Sequence, residues 1–123
     1  MLVVGGCGPR GGPGLVKLDV LGLALREAGM EVPVLTDGLA PEDAREPWIS
    51  LFTPEAAAGG VLSRLHDGDS LRIDLTEGRI RTGVGAREFE SREPREFPGR
   101  AGTGYVARYA RTALPALDGA GFG

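Results

Sequence analysis

The stretch GGCGPRGGPG, Gly5 to Gly14, packs six glycines and two prolines around Cys7 and Arg10. It follows a short apolar strand, Leu2-Val3-Val4, and precedes the first periodic segment of the chain. So dense a glycine run gives the backbone conformations that side chains forbid, and it predicts a built loop rather than a simple connection. Beyond it Leu15, Leu18, Leu21, Leu25 and Ala28 recur at spacings of three and four. That spacing predicts an amphipathic helix over 15–30, weakened at Gly22 and ended at Gly29, packed on a sheet.

Further out, Val32 to Thr36 (VPVLT) predicts a second buried strand closed by the turn pair Asp37-Gly38. Ala40-Pro41-Glu42-Asp43 has no period. Ile49 to Phe52 (ISLF) predicts a strand, and Thr53-Pro54-Glu55 after it has the pattern of a helix start, with Glu55 as an acid for the helix dipole. Gly59-Gly60 ends that turn and Val61-Leu62 begins a short apolar segment. Asp67-Gly68-Asp69 is a turn. Leu71-Arg72-Ile73-Asp74-Leu75 alternates apolar and polar, Glu77-Gly78 turns, and Arg79-Ile80-Arg81 returns, so a hairpin is expected. The charged, proline-punctuated region 84–104 is expected to be a solvated loop or arm packed by Phe89 and Phe97. A short C-terminal helix over 105–114 and a frayed tail from Asp118 complete the reading.

With 123 residues, the chain is expected to form one domain over 1–123, with a core that needs no disulfide or metal staple. The one cysteine, Cys7, and the one histidine, His66, cannot supply the thiolates of an iron–sulfur cluster or complete a zinc site. Cys7 reads as a small filler, with no basic partner placed beside it, and His66 reads as exposed. A net charge of −3 gives no general electrostatic grip on nucleic acid or an anionic membrane. No apolar run approaches the roughly 18 residues of a membrane span, and Met1-Leu2-Val3-Val4 lacks the regions of a signal peptide, so a cytoplasmic protein is expected. Asn and Gln are absent and arginine outnumbers lysine thirteen to one, a thermophile-like composition that a GC-rich genome also produces.

Gly6-Cys7-Gly8-Pro9-Arg10-Gly11 fits G-x-G-x-x-G after a strand and before a helix, with Asp37 at the end of the next strand, the layout of a dinucleotide-binding unit. In such a unit the helix begins near the third glycine so that its N-terminus faces the phosphate. Here Gly12-Pro13-Gly14 intervene, and the short strands and hairpin that follow do not form the alternation of a doubly wound sheet.

A longer pattern is more specific. Gly8 to Gly14 (GPRGGPG), Thr36-Asp37-Gly38, Thr53-Pro54-Glu55-Ala56-Ala57 with Gly59-Gly60, Asp67-Gly68-Asp69, and Gly104-Tyr105-Val106-Ala107-Arg108-Tyr109-Ala110 stand in one order along nearly the whole chain. In that order they resemble the C-terminal domain of the dihydroxy-acid and 6-phosphogluconate dehydratase family. The resemblance implies an α/β fold: a swivelling β/β/α domain, a small barrel-like mixed sheet with flanking helices, covering the active site of a larger N-terminal domain. It also implies an iron–sulfur cluster and most of the magnesium ligands on that larger domain, with a serine alkoxide of the swivelling domain taking the proton beside the substrate carboxylate.

The family pattern G-G-P-G-x-x-E puts a metal-binding glutamate where this chain has Lys17, and T-D-G-x-x-S puts the catalytic serine where it has Pro41. An ammonium repels Mg²⁺, which takes oxygen ligands, and Asp19 two residues on faces another side of a helix. Proline has no proton to give or take. The expectation is therefore a stand-alone relative of the dehydratase C-terminal domain with no catalytic residue and no metal ligand of its own, serving binding or regulation. Iron–sulfur and Mg²⁺ enter only if a partner chain supplies them.

The ligand-binding candidates are Arg10, Gly11, Gly12, Gly14, Asp37 and Gly38, a guanidinium fork in a loop of backbone N–H groups suited to a small carboxylate or phosphate. The alternatives are the small subunit of a two-chain hydro-lyase acting on a hydroxy acid with an iron–sulfur partner chain, and nucleotide binding through G-x-G-x-x-G. Partners are expected to be a larger dehydratase-like chain or a second copy, since apolar surface facing a missing domain drives self-association.

Overall fold

The structure, a computed structural model of the chain, describes residues 1–97 and 103–123. Its elements, in order, are β1 (Leu2–Val4), α1 (Asp19–Glu27), β2 (Val34–Thr36), β3 (Trp48–Ile49), β4 (Leu71–Asp74), β5 (Arg79–Thr82), α2 (Ala86–Ser91) and α3 (Tyr105–Thr112). Short 3-10 turns at Ala56–Ala58, Val61–Arg64 and Ala116–Asp118 connect them.

The strands form two sheets. One is parallel, in the order β1-β2-β3, with Leu2 opposite Val34, Leu35 opposite Ile49, and β2 in the middle. The other is the antiparallel β4–β5 hairpin, with Ile73 opposite Ile80. The small α/β domain expected from the sequence is present, but among the described residues the strands do not close into a barrel and neither sheet is mixed. The physical reason lies in the partners each strand finds. The hairpin forms all its pairs locally, while β2 takes both neighbours from the parallel sheet.

A parallel strand covered on both faces has to be apolar along its length, and Val34, Leu35 and Thr36 are all buried. Leu35, Ala56, Leu62 and Leu65 make the core, against which Val3, Ile49, Phe52, Leu71, Ile80, Phe89 and Phe97 pack from both sheets and the 89–97 segment. Phe89 and Phe97 thus do the packing expected of them.

Several expectations change. The helix expected over 15–30 spans only Asp19–Glu27, because residues before it are tied to other segments of the same chain: Val16 N–H donates to Cys7 O, and Leu18 N–H to Leu39 O. Its end is as read, with Gly29 at φ +65° and Met30 N–H donating back to Leu25 at 2.9 Å, a helix stop that favours glycine. Strands two and three are also shorter than expected, Val34–Thr36 and Trp48–Ile49. The segment 84–104 is not all loop: Ala86–Ser91 is helical, although residues 98–102 lie outside the description.

No regular helix follows Thr53-Pro54-Glu55. Glu55 is extended at φ −62°, ψ 156° and only the 3-10 turn Ala56–Ala58 follows, so Glu55 is not an acid of a helix first turn. The C-terminal helix ends at Thr112, short of Leu114. Nor is the tail frayed. Ala113 bridges Phe122, Leu114 N–H donates to Gly121 at 2.9 Å, Tyr109 Oη donates to Ala120 O at 2.5 Å, and the Phe122 ring meets those of Tyr105 and Tyr109 edge-on. The aromatic residues of α3 gather the last residues back onto the helix.

Candidate functional site

The glycine loop leaves β1 and is held from inside by two carboxylates. Asp37, at the end of β2 and 1% exposed, accepts the amide of Cys7 on Oδ1 at 2.8 Å. Its Oδ2 accepts the amides of Gly6 at 3.0 Å and Ala56 at 2.8 Å. Glu55, 6% exposed, accepts the amide of Arg10 on both oxygens at 3.1 Å and that of Gly11 on Oε2 at 3.1 Å. A buried carboxylate is costly unless several donors converge on it, and the loop supplies them. The same contacts close the loop on itself, with Gly12 N–H on Gly8 O at 2.8 Å and Gly14 N–H on Pro9 O at 2.7 Å.

The candidate residues Arg10, Gly11, Gly12, Gly14, Asp37 and Gly38 are thus brought together, but most of their polar groups already have partners. Gly38 N–H donates to Thr36 Oγ1 at 3.0 Å. Of a G-x-G-x-x-G loop, the amides of Gly6, Cys7, Arg10 and Gly11 all meet internal carboxylates, where a phosphate site would turn them outward. The helix after the loop begins at Asp19, well past Gly11. Arg10 has a double role: its Nε donates to Ala113 O at the end of α3 at 3.1 Å, while its Nη groups have no partner among the described residues. Sequence reasoning missed Glu55 as a holder of this loop, because the two are 44 and 45 residues apart and no local pattern joins them.

Cys7 is half-buried, and burial first, then the Asp37 carboxylate, pushes its thiol above the ordinary value. That favours the thiol over the nucleophilic thiolate. His66 is exposed, as expected.

Pro41 and Lys17, the positions expected for the family's serine and glutamate, lie against α1 and just before it. Pro41 is buried on Gly22, where a Cβ would stand 2.7 Å from the proline Cγ, so the glycine that weakened the helix pattern is a contact point for the following segment. Lys17 Nζ donates to Glu42 Oε1 at 2.8 Å and lies 3.8 Å from Asp19 Oδ2. The Glu42 hydrogen bond raises the lysine above its ordinary value and lowers the glutamate. Arg26 closes the other end on Asp43 at 2.9 Å, lowering that carboxyl. The segment 41–43 is therefore held by a proline seat on α1, by the Arg26 pair with Asp43, and by Lys17, just before the helix, with Glu42.

This donor set does not fit the metal groups that the family resemblance implies. The chain offers one thiol, its protonated form favoured, and Lys17, at the position expected for the glutamate, carries an ammonium already paired with carboxylates. Among the described residues no group of three or more His, Cys, Asp or Glu is placed to hold a metal ion. Nor is any helix among them long and apolar enough to cross a membrane.

A parallel three-strand sheet thus carries a glycine loop clamped by carboxylates from the end of β2 and the following turn, in a small α/β domain. The family model for the dihydroxy-acid/6-phosphogluconate dehydratase C-terminal domain matches residues 1–120, and the chain belongs to that family. Similar proteins include the dihydroxy-acid dehydratases of Ignicoccus hospitalis, 37% identical over 118 residues, and of Methanospirillum hungatei JF-1, 39% identical over 115 residues. That of Methanococcus vannielii is 34% identical over 117 residues. The matches cover 91%, 92% and 92% of this chain and 21% of each relative, so the chain spans about a fifth of the length of these relatives.

Proposed function

We propose that this domain is a non-catalytic member of its family, a swivelling-type module that binds a partner or a small carboxylate ligand and leaves proton transfer and metal binding to other protein. The observation that carries the reading is the fastening of residues 41–43 to α1. Pro41, at the position expected for the family serine, sits against Gly22, and Lys17, at the position expected for the family glutamate, sits in an ion pair with Glu42. A proline ring accepts no proton, and a paired ammonium offers Mg²⁺ no oxygen. What the chain still presents is the clamped glycine loop with a half-buried Arg10 whose Nη groups have no partner among the described residues, a fork suited to a carboxylate. The natural setting of such a module is the cytoplasm, against a larger dehydratase-type domain or a second copy of itself.

The second reading, a small component of a hydro-lyase that acts on a hydroxy acid with an iron–sulfur partner, is favoured by one fact. The relatives carry the matching segment as a fifth of a longer dehydratase chain. Tagged protein recovered from lysate of its own source, followed by mass spectrometry, an iron assay and a dehydration assay on a 2,3-dihydroxy acid, separates the two. The first reading expects no 2-keto acid from the eluate, whether or not iron is present. Turnover by an iron-containing complex that is lost on Arg10→Glu overturns it and establishes the second.

A further inference from the structure

The solvent face of the β4–β5 hairpin carries a charge arrangement separate from the glycine loop. Arg72 stands directly opposite Arg81 in the antiparallel register, and Asp74 opposite Arg79, so three guanidiniums and one carboxylate form a square on one face. Opposite positions of such a ladder bring side-chain roots within about 5 Å, and like charges there destabilise the pair. All three arginines are exposed.

Two carboxylates lie beside them, Asp74 and Glu77, and neither is paired with Arg72 or Arg81. Asp74 Oδ1 accepts the amides of Thr76 at 3.0 Å and Glu77 at 2.9 Å, closing the turn, and Glu77 Oε2 reaches Arg79 only at 4.0 Å. Among the described residues no carboxylate lies within 4.0 Å of Arg72 or Arg81. Residues 98–102 contain neither Asp nor Glu, so they hold none in reserve. In a chain of net charge −3 the face sets three guanidiniums against two carboxylates, a local cationic excess. A recess of about 160 Å³ lies there, lined by Arg72, Asp74, Glu77, Arg79 and Arg81.

We infer that this face binds the phosphoryl group of a small molecule. Two facing guanidinium forks with a third beside them supply more donors than the Asp74 and Glu77 carboxylates can accept, and the unpaired Arg72 and Arg81 forks match a tetrahedral dianion. The recess is smaller than the roughly 300 Å³ at which drug-sized ligand pockets begin. It therefore takes the phosphoryl group itself and leaves the rest of the molecule in solvent. An anion between Arg72 and Arg81 replaces their repulsion with attraction.

The test uses inorganic phosphate on the wild-type chain and on Arg72→Gln/Arg81→Gln. Both side chains point to solvent, so the variant is expected to keep the wild-type circular dichroism spectrum in phosphate-free buffer. At about 10 mM phosphate the wild-type melting temperature is expected to rise by about 3 °C over sodium chloride of equal ionic strength. The ³¹P line of phosphate broadens with the wild-type protein, and both effects are lost in the variant. An equal rise in chloride means screening of the two arginines only and overturns the inference. So does a double variant that keeps the rise or the ³¹P broadening, since phosphate then binds elsewhere.

Discussion

At the scale of single residues, Asp37 does more for this domain than any surface charge. One carboxylate gathers the amides of Gly6, Cys7 and Ala56, and so joins β1, the end of β2 and the turn before the core segment. Asparagine keeps one acceptor oxygen and turns an N–H₂ toward an amide that needs an acceptor. If its oxygen takes the place of Oδ2, the Cys7 amide is left facing a donor. Hydrogen bonds to buried charged groups contribute about 1.5–3 kcal/mol each, so Asp37→Asn is expected to lower unfolding stability by about 2–3 kcal/mol in urea titration. A loss below about 0.5 kcal/mol would show that the loop does not depend on this carboxylate. The position was legible in Thr36-Asp37-Gly38, but its duty was not. A sequence shows that Asp follows a strand; it does not show that three amides from two distant segments will converge on it.

At the scale of elements, the hairpin β4–β5 was readable because everything it needs is local: alternation, a Glu77-Gly78 turn, and an aspartate to cap that turn. The helix α2 was hidden by charge and by the prolines after it, and what stabilises it comes from far away. Arg92, just past its end, forms a double contact with Asp69, at 2.6 Å and 3.0 Å, and reaches Glu88 at 2.9 Å. It also donates to Arg64 O at 3.1 Å while Arg64 Nε donates to Arg92 O at 3.1 Å. The Arg92 hydrogen bonds, helped by the His66 amide, hold the Asp69 carboxyl down to about 2 from its ordinary 3.8, and the arginine is raised in turn.

A carboxyl whose folded value is depressed adds stability that is fully present above about pH 4. That stability is lost as pH falls from 3.8 toward 2, where the unfolded chain binds the proton first. Arg92→Gln should therefore flatten the fall in stability between about pH 4 and pH 2, and lower stability at neutral pH. Acid titration of the melting temperature checks this: a variant as steep as the wild type over that window would place the acid sensitivity in other carboxyls.

At the scale of the whole molecule, the two ends of the chain meet through Arg10. Its backbone amide belongs to Glu55 and the glycine loop, while its side chain, 103 residues away in sequence from its acceptor, holds Ala113 O at the end of α3. The loop was legible as a built loop because glycine and proline at that density serve no other purpose. The docking of α3 onto it was not, because nothing near Ala113 announces a partner across the chain. Arg10→Ala leaves the amide on Glu55 and removes only the long tether. Ala113 is fully buried and Ala107 nearly so, so α3 stays packed by contact but loses a charge-assisted bond at its C-terminal end. Local opening of α3 should then cost about 1.4 kcal/mol less, and its amides, Ala113 among them, should exchange with solvent about ten times faster. Amides of β2, the centre of the parallel sheet, should exchange at the wild-type rate when measured under conditions where they report local motion. Arg10→Lys keeps the charge but not the planar fork, and should fall between the two. If α3 and β2 accelerate together, Arg10 supports the global fold rather than this junction; if neither changes, the tether carries no load and the helix is held by its buried alanines alone.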